Sequence, residues 1–276
     1  MKDSILSQPG PEADPFGLRG FDFSVRVPER SEMFTEKEAH DYIDGCDYPQ
    51  SVDDLLLALE MESRFGLTKL SRMKILDAMA GPGRLGRELI ALGAGFVVGH
   101  DGDETMIAHE REKALALNGR MHVVKSPVDN IPLPEMFDLV VCHNATHQLS
   151  TQEKLRATMQ EFLRLIVPGG HIVIADYQRD TSPKFIAALE ERLRWTKPEI
   201  VPLLIPTFQA AFTKEEFGDV LSSVPGIETR SVTDAKPPLW LSREMRARVE
   251  QDPVKGHLLD FSPISLRAVA KKKEKL

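Results

Sequence analysis

The chain has 276 residues, of which 42% are hydrophobic and 28% are charged, as in an ordinary globular protein with one large domain or two small ones. Its 35 lysines and arginines stand against 42 aspartates and glutamates, which gives a formal net charge of −7. Because a negatively charged molecule as a whole repels nucleic acids and anionic membranes, we expect neither as a partner.

Cysteines and histidines indicate neither a disulfide framework nor a metal site. Cys46 and Cys142 lie far apart without C-x-x-C spacing, which favours a reducing compartment. The histidines are scattered and no carboxylate cluster has ligand spacing, so no metal is expected. No apolar run reaches the length of a membrane span, and the stretch MKDSILSQPGPEADPFG has too short an apolar core for a signal peptide. We therefore expect a cytoplasmic protein, with monomer or homodimer left open.

The N-terminal part divides into an arm and a helix. Residues 1–48 begin with a stretch rich in proline, glycine and charge, and they predict an arm or helical cap. Within it, MFTEKEAHDYIDGCDYP carries aromatic and polar side chains suited to a small substrate, among them Phe34, His40, Tyr42 and Tyr48. One domain is expected over residues 49–276. Its first segment, SVDDLLLALEMESRFGL, predicts a helix with Ser51 as the N-cap and leucines on the buried face.

From Lys74 onward, short apolar segments alternate with amphipathic ones. The predicted strands are KILDAM, GFVVGHD, MHVVK, FDLVVCH and GHIVIAD. The predicted helices between them are RLGRELIALGA, DETMIAHEREKALALNG and TQEKLRATMQEFLRLIV, the last stopped by Pro168-Gly169-Gly170. Near-continuous apolar strands that alternate with helices predict βαβ units and a parallel sheet covered on both faces.

The last hundred residues have a different pattern. TKEEFGDVLSSV predicts a helix with a capping box formed by Thr213 and Glu216. IETRSVTDA and ISLRAVAKK predict two more strands, paired antiparallel at one end of the sheet. The stretches at about 178–212 and 236–263 lie outside this frame and are predicted to be substrate-side insertions. Both carry aromatic residues among prolines: Trp195, Phe208 and Trp240.

The stretch ILDAMAGPGRLG, residues 75–86, contains G-P-G-R-L-G and so fits the dinucleotide-binding pattern G-x-G-x-x-G. It follows the first strand of the alternating region, at the edge where open parallel sheets bind their ligands. Gly81 and Gly83 permit close backbone approach, and the helix that begins near Arg84 offers free N–H groups. These features are compatible with a phosphate-bearing cofactor and with other ligands.

The charge of Asp77 separates the two interpretations. This residue ends the strand four residues before Gly81. A carboxylate here repels a pyrophosphate in a site shielded from water, whereas it suits S-adenosylmethionine, which brings an ammonium and a sulfonium. A nicotinamide oxidoreductase remains the weaker alternative.

The ordered set of motifs resembles that of the class I S-adenosylmethionine-dependent methyltransferases. Residues 77–83 resemble motif I of that family, an acid-x-G-x-G-x-G pattern. Asp101 ends the second strand 24 residues after Asp77, where the family places an acid that binds the ribose hydroxyls. SPVDNIPLPEMFDLVVCHNATHQL and FLRLIVPGGHIVIADY are similar to the family's segments around the fourth and fifth strands. The resemblance covers close to half of the chain, in the family's order.

The resemblance implies a cofactor site. Motif I holds the methionine part of the cofactor, Asp101 the ribose, and Val128 with its neighbours the adenine. The cofactor-binding positions implied in this way are Asp77, Ala78, Met79, Gly81, Gly83, Asp101, Gly102, Val128 and His143.

Two positions depart from the family pattern. Met79 stands where the first glycine of motif I is common, which should narrow the loop. Pro127 stands where many members have an acid for the adenine amino group. Adenine is then recognised by the amide of Val128 and by the side chain of Ser126 or Asp129.

The fold implied is an α/β, Rossmann-like three-layer sandwich with a mostly parallel seven-stranded sheet, an antiparallel last strand and a helical N-terminal cap. The function implied is methyl transfer from S-adenosylmethionine to a small-molecule acceptor by in-line displacement. HNATHQ follows the fourth strand in place of an Asn/Asp-Pro-Pro-aromatic segment, which argues against amino methylation of nucleic-acid bases. A methyltransferase that acts on RNA or protein, and a non-catalytic cofactor-binding subunit, remain as alternatives.

A general base is needed only when the acceptor must lose a proton. His147 lies just past the fourth strand and is the leading candidate, although it also suits packing against adenosine or capping a helix. Asn144 and Tyr177 follow the fourth and fifth strands, and together with Tyr42 they are the candidate substrate-binding residues. Cys142 is expected to be a small buried hydrophobe. His100 is expected at the adenosine edge or in solvent.

Overall fold

The structure is a computed structural model that describes residues 25–29, 39–40, 42–43, 50–181, 201–234 and 266–274. Within these ranges, the side chains of residues 50–52, 201–205, 229 and 234 are not described. The predicted insertion at 236–263 lies outside the described residues, and so does much of the insertion at 178–212. The same holds for Phe34, Cys46, Tyr48, Trp195 and Trp240.

Seven strands in the described part of the chain form one sheet with the order β3-β2-β1-β4-β5-β7-β6. They are β1 (Lys74–Ala78), β2 (Phe96–Asp101), β3 (Met121–Lys125), β4 (Phe137–His143), β5 (Ile166–Asp176), β6 (Ile227–Asp234) and β7 (Leu266–Lys272). Strands β1 to β5 pair in parallel, whereas β7 runs antiparallel to both β5 and β6. The predicted fold, with its antiparallel last strand, is confirmed.

The strands alternate with helices at nearly the predicted positions. The helices are α1 (Gln50–Phe65), α2 (Leu67–Leu70), α3 (Arg84–Ala91), α4 (Glu104–Ala114), α5 (Gln152–Leu165), α6 (Val201–Ala210) and α7 (Lys214–Ser223). Short 3₁₀ turns lie at Leu115–Leu117 and Thr146–Gln148. The predicted capping box of α7 is confirmed, because Thr213 accepts from the amide of Glu216 and the Glu216 side chain accepts from the amide of Thr213.

Two predicted boundaries are wrong. Helix α1 begins at Gln50, so Ser51 lies inside the first turn and is not the N-cap. Helix α5 ends at Leu165, and the stretch Pro168-Gly169-Gly170 belongs to β5. The pairing of β4 with β5 shifts register between Phe137 and Leu139, and such an irregularity accommodates a proline and a glycine inside a strand.

Successive residues of the strands pack on opposite faces of the sheet, which explains their near-continuous apolar sequences. On one face, Leu76 belongs to a core cluster with Phe162 of α5 and Phe217 of α7. On the other face, Ile75 belongs to a cluster with Leu57 of α1 and other leucines of α1 and α3. Cys142 is fully buried in the first cluster, as predicted.

The described ranges contain no helix that is both long enough and apolar enough to cross a membrane. They also contain no group of three or more His, Cys, Asp or Glu side chains arranged to hold a metal ion.

Candidate active site

A cleft lies at the carboxyl ends of β1, β2 and β4, where an open parallel sheet places its ligands. Its empty space is about 560 Å³, a figure that includes the part open to solvent. Its walls come from the loop after β1 (Met79–Pro82), the end of β4 with the following turn (His143–Ala145), Asp101 and Tyr42. Asp54 of α1, Arg84 of α3, Met106 of α4 and Gln148 complete it.

The loop after β1 depends on backbone conformations that favour glycine. Gly81 and Gly83 have φ angles of 54° and 73°, and Gly83 is the N-cap of α3. Met79 also has a positive φ, 57°, which is uncommon for a residue with a side chain. The amide of Ala80 donates to the carbonyl oxygen of His100 at 2.7 Å, so this loop is tied to β2.

Asp101 connects the glycine loop to the start of α4. Its Oδ2 accepts from the amide of Gly81 at 2.8 Å and its Oδ1 from the amide of Asp103 at 2.9 Å. Burial raises the pKa of Asp101, while the amides of Asp103 and Gly81 oppose that shift. Asp101 lines the cleft, and a carboxylate oriented by two amides is a suitable acceptor for ligand hydroxyl groups.

Asp77 lies beneath the loop, and its side chain does not line the cleft. It is 1% exposed, and its Oδ2 accepts from the amide of Gly86 in α3 at 2.8 Å. Burial, and after it the charge of Asp54, raise the pKa of Asp77 to about 7. The acid predicted to favour a cationic ligand is therefore one layer away from the surface that a ligand would touch.

Asp54 and His143 join α1 to the end of β4. Nδ1 of His143 lies 2.5 Å from Oδ1 of Asp54, and Nε of Arg84 lies 3.9 Å from Oδ2 of the same carboxylate. Burial is the largest effect and opposes the charged imidazole, but the carboxylates of Asp54 and Asp53 together raise the pKa of His143. Nε2 of His143 has no hydrogen-bond partner among the described residues, although the residue lines the cleft.

The three candidate substrate residues have different surroundings. Asn144 lines the cleft with a φ of 51°, and its Oδ1 is buried without a hydrogen-bond partner in the described part of the chain. Tyr42 also lines the cleft. Tyr177 is 2% exposed and packs edge-on against His147 and Phe208, so the structure places it behind the cleft wall.

His147 is buried outside the cleft lining, although its neighbours Ala145 and Gln148 belong to that lining. Its Nδ1 lies 2.8 Å from Oδ1 of Asp176, and its Nε2 lies 3.8 Å from Oε1 of Glu29. Burial is the largest effect and opposes the charged ring, but the carboxylates of Asp176 and Glu29 together raise the pKa of His147.

On the predicted adenine side of the site, the buried side chain of His100 contacts Ser126. His100 is fully buried, so the expectation of a solvent position is wrong. Its Nε2 lies 2.9 Å from the carbonyl oxygen of Ser126 and 3.1 Å from the hydroxyl. Asp129 forms an ion pair with Lys154 at 2.9 Å, and Val128 packs against the core. Their adenine contacts stay predictions.

The sequence interpretation missed two acids near this site. Asp54 lies near the start of α1, and nothing in the sequence brings that helix to the end of β4. Glu110 of α4 is fully buried, and neither carboxylate oxygen has a partner among the described residues. It occupies space left by two glycines: a Cβ on Gly99 would lie 1.7 Å from its Oε1, and one on Gly83 would lie 2.3 Å from its Cγ. A signal for Glu110 was its spacing, because it lies three and four residues after Ile107 and Met106, which are buried on the same face of α4.

Residues 75–170 match the model of a methyltransferase domain family. The matched range includes the glycine loop, Asp101 and the end of β4, which are the segments that build the cleft. Over this range, about a third of the chain, the protein is similar to methyltransferase domains.

Two curated proteins similar to this chain are named for ubiquinone and demethylmenaquinone. The mitochondrial ubiquinone biosynthesis O-methyltransferase of Schizosaccharomyces pombe is 28% identical over 155 residues, 55% of this chain and 54% of the relative. The demethylmenaquinone methyltransferase of Clavibacter sepedonicus is 28% identical over 159 residues, 57% of this chain and 62% of the relative. The match thus spans little more than half of the length of each relative.

Solved methyltransferases have the same fold. The plantazolicin methyltransferase BamL, in complex with a triazolic desmethylPZN analog and SAH, has a TM-score of 0.62 at 16% identity, with 86% of this chain and 91% of that chain covered. A SAM-dependent methyltransferase from Aquifex aeolicus has a TM-score of 0.52 at 21% identity, with 84% and 96% covered. At these identities the likeness shows the fold alone.

Proposed function

We propose that this protein transfers a methyl group from S-adenosylmethionine to a small-molecule acceptor. The observation that carries the proposal is the cleft at the carboxyl ends of β1, β2 and β4, in which Asp101 holds the amide of Gly81 at 2.8 Å. The family match over residues 75–170 supports it.

The side chains and amides of the cleft fit such a cofactor. Asp101 offers carboxylate oxygens for the ribose hydroxyls, and the glycine loop permits close backbone approach. At the other wall, His143 and Asn144 each carry a buried polar atom without a hydrogen-bond partner among the described residues, and such atoms are normally satisfied by a ligand or water. We assign Ala78, Met79, Gly83 and Gly102 to the backbone of this site and Val128 to its adenine end.

When bound, S-adenosylmethionine supplies a methyl group on a positively charged sulfur. The acceptor atom attacks the methyl carbon in line with this sulfur, which is the leaving group. The protein's part is to align the two reactants and exclude water. Asp77 lies beneath the loop and adds negative potential there only as pH rises through its raised pKa of about 7. Asn144 and Tyr42 face the remaining space of the cleft, and we assign the acceptor to that side, with Tyr177 supporting the wall from behind.

For an acceptor that must lose a proton, two histidines compete for the role of base. His143 lines the cleft, is oriented by Asp54 through Nδ1 and leaves Nε2 without a partner among the described residues. His147 has Asp176 on Nδ1 and Glu29 near Nε2. The geometry favours His143, and the earlier assignment to His147 stays a prediction to be tested beside it.

The acceptor class rests on charge and on relatives. The formal net charge of −7 disfavours nucleic acid, and the two curated relatives are named for ubiquinone and demethylmenaquinone chemistry. We propose a small phenol- or quinol-like acceptor for this chain. Cytoplasmic location, and a domain over residues 49–276 with a cap at 1–48, belong to the same proposal.

Calorimetry with S-adenosylmethionine, S-adenosylhomocysteine and NADH tests the cofactor. We expect the first two to bind and NADH to fail. Replacing Asp101 by Asn should weaken S-adenosylhomocysteine binding ~10-fold or more, the loss expected for one hydrogen bond to a charged group. The matched control is Asp138→Asn. Asp138 also accepts from a backbone amide, that of Lys74 at 2.8 Å, but it lies at the amino ends of β1 and β4, away from the cleft.

The acceptor is tested by S-adenosylhomocysteine release with catechol, hydroquinone and 1,4-naphthohydroquinone, each compared with bulk tRNA and an unfolded protein. Turnover with the phenols alone supports the proposal. Salt-sensitive turnover with RNA or protein would replace it by the macromolecular alternative. Cofactor binding without turnover on any of these compounds would favour a non-catalytic cofactor-binding subunit.

A further inference from the structure

Residues 25–29 lie against the loop that follows β4. The guanidinium of Arg26 donates to four backbone carbonyl groups, three of which belong to this loop: His147 at 3.1 Å, Ser150 at 2.6 Å and Leu149. The fourth is Ala210 at the end of α6, at 2.6 Å. The guanidinium also lies 3.9 Å from the ring centroid of Phe212. One side chain thus joins three parts of the fold.

These contacts use the geometry of arginine. Its planar group presents five donors in a rigid fork, and hydrogen bonds from a charged donor contribute more than neutral ones. Burial lowers the pKa of Arg26 to about 10, so the side chain remains charged near neutral pH. Lysine in this position has a single ammonium and would not reach all four carbonyl groups.

The same segment makes two further contacts. The amide of Val27 donates to the carbonyl oxygen of Gln209 at 3.1 Å. Oε1 of Glu29 accepts from the hydroxyl of Thr207 at 2.9 Å, and it also lies 3.8 Å from Nε2 of His147. The 25–29 segment therefore contacts α6 through backbone and side chain, and it reaches the histidine of the loop.

His147 lies between two carboxylates, Asp176 at its Nδ1 and Glu29 at its Nε2. A neutral imidazole has one N–H and directs a lone pair at one of them, whereas the protonated ring directs an N–H at each. The groups that face the ring are Asp176 from β5, Glu29 and Arg26 from the 25–29 segment, and the ring of Tyr177. Asp176 and Glu29 favour the protonated ring; burial and Arg26 oppose it.

The loop that receives these contacts also builds the cleft. Ala145 and Gln148 line it, and His147 stands between them on the chain. The amide of His147 donates to Oδ2 of Asp176 at 3.1 Å, and the hydroxyl of Thr146 donates to the same oxygen. The groups that hold His147 therefore also hold the chain between two residues that line the cleft.

We propose that residues 25–29 are a strap that positions loop 145–150 of the cleft through Arg26. The strap holds this loop most firmly while His147 is protonated between Glu29 and Asp176. Arg26 and Glu29 are then positioning residues. The strap acts on the shape of the site and does not depend on which cofactor or acceptor binds there.

Amide hydrogen exchange of the full-length chain, followed by mass spectrometry from pH 5.5 to 9 without ligand, tests this strap. Rates are corrected for the chemical dependence of exchange on pH, and peptides from β1 and β5 serve as internal references. In the wild type, protection of residues 145–150 should fall as pH rises through the titration of His147. His147→Gln should remove that pH dependence, and Glu29→Gln should shift its midpoint to lower pH.

Arg26→Ala should reduce the protection of residues 145–150 by ~10-fold or more at every pH, the effect of about one hydrogen bond from a charged donor. Arg26→Lys should give an intermediate loss and covers the case in which the alanine variant does not fold. Arg120→Ala is the matched control, because Arg120 also donates to a backbone carbonyl group, that of Ile90 at 3.3 Å, away from the loop. Loop protection that is independent of pH in the wild type, or equal in the Arg26 and Arg120 variants, overturns the proposal.

Discussion

Asp54 and His143, 89 positions apart in the chain, meet with 2.5 Å between Oδ1 and Nδ1. The contact closes one wall of the cleft and gives the imidazole a defined orientation, because the nitrogen that faces a carboxylate carries a hydrogen. The pH behaviour of this site therefore depends on a residue of α1, outside the segment 75–170 that the family model matches.

The first prediction concerns that pair. Replacing Asp54 by Asn removes the charge that raises the pKa of His143 and leaves the burial that lowers it. The pKa of His143 should then fall below its ordinary value, as followed by NMR titration of the imidazole. Asp129→Asn is the control, because Asp129 pairs with Lys154 at the surface and should leave His143 unchanged. An unaltered titration in the Asp54 variant would disprove the pairing.

The second prediction concerns Asp77. Its pKa in the fold is raised from 3.8 to about 7, so the folded state holds a proton that the unfolded state loses near pH 4. Its contribution to stability is fully present below about pH 4 and is lost as pH rises to about 7. Asp77→Asn lacks this loss and keeps an acceptor for the amide of Gly86. The free energy of unfolding of the variant, relative to the wild type, should grow by at most ~4 kcal/mol between these values.

Urea denaturation at pH 4, 5, 6, 7 and 8 measures this difference. Asp138→Asn provides the comparison for an acid with a backbone amide partner near the surface. A difference between the Asp77 variant and the wild type that stays constant with pH would mean that Asp77 is ionised throughout.

The third prediction concerns the space around Glu110. Gly99→Ala places a methyl group where Oε1 of Glu110 lies, and overpacking of this kind typically costs ~1–3 kcal/mol. In a chain that also carries Glu110→Ala, the same substitution should cost less than ~0.5 kcal/mol. Denaturation of the four proteins of this double-mutant cycle gives the coupling energy directly.

Gly218→Ala is the matched control for that cycle. Nothing lies within 4 Å of a Cβ at this helical position, so alanine should stabilise the protein by up to ~1 kcal/mol. If Gly99→Ala costs the same in the presence and in the absence of the Glu110 side chain, the two residues are not in contact.

The fourth prediction separates the two histidines in catalysis. With the phenol that best supports turnover, His143→Gln should lower kcat and remove the ascending limb of the pH profile, because a base must be deprotonated to act. His147→Ala should keep the ascending limb of the pH–rate profile, whatever it does to the stability of the loop. A profile altered only by the His147 substitution would return the role of base to that residue.

The sequence predicts those parts of the fold that depend on interactions between residues close together in the chain. The strands β1 to β4 and the capping box of α7 depend on apolar periodicity and on contacts three residues apart, and the sequence predicts them nearly residue by residue. Strand β5 begins at Ile166, four residues before its predicted start. The end of α5 was misplaced, because the proline and glycines after it join a strand through a register shift with β4. That register shift arises from the pairing of β5 with β4, so the sequence of residues 166–170 does not by itself indicate it.

The amino-acid sequence by itself determined the α/β architecture, the position of the glycine loop and the acid at the end of β2, since each follows from local patterns and from the order of the elements. Tertiary structure alone decided that Asp77 lies beneath the loop, that Asp54 reaches His143, that Arg26 holds the loop after β4, and that His147 faces Asp176. The last three of these contacts join residues from 29 to 124 positions apart. Charge and hydrogen bonding act across space, so a side chain's role depends on neighbours that only the packed chain brings together.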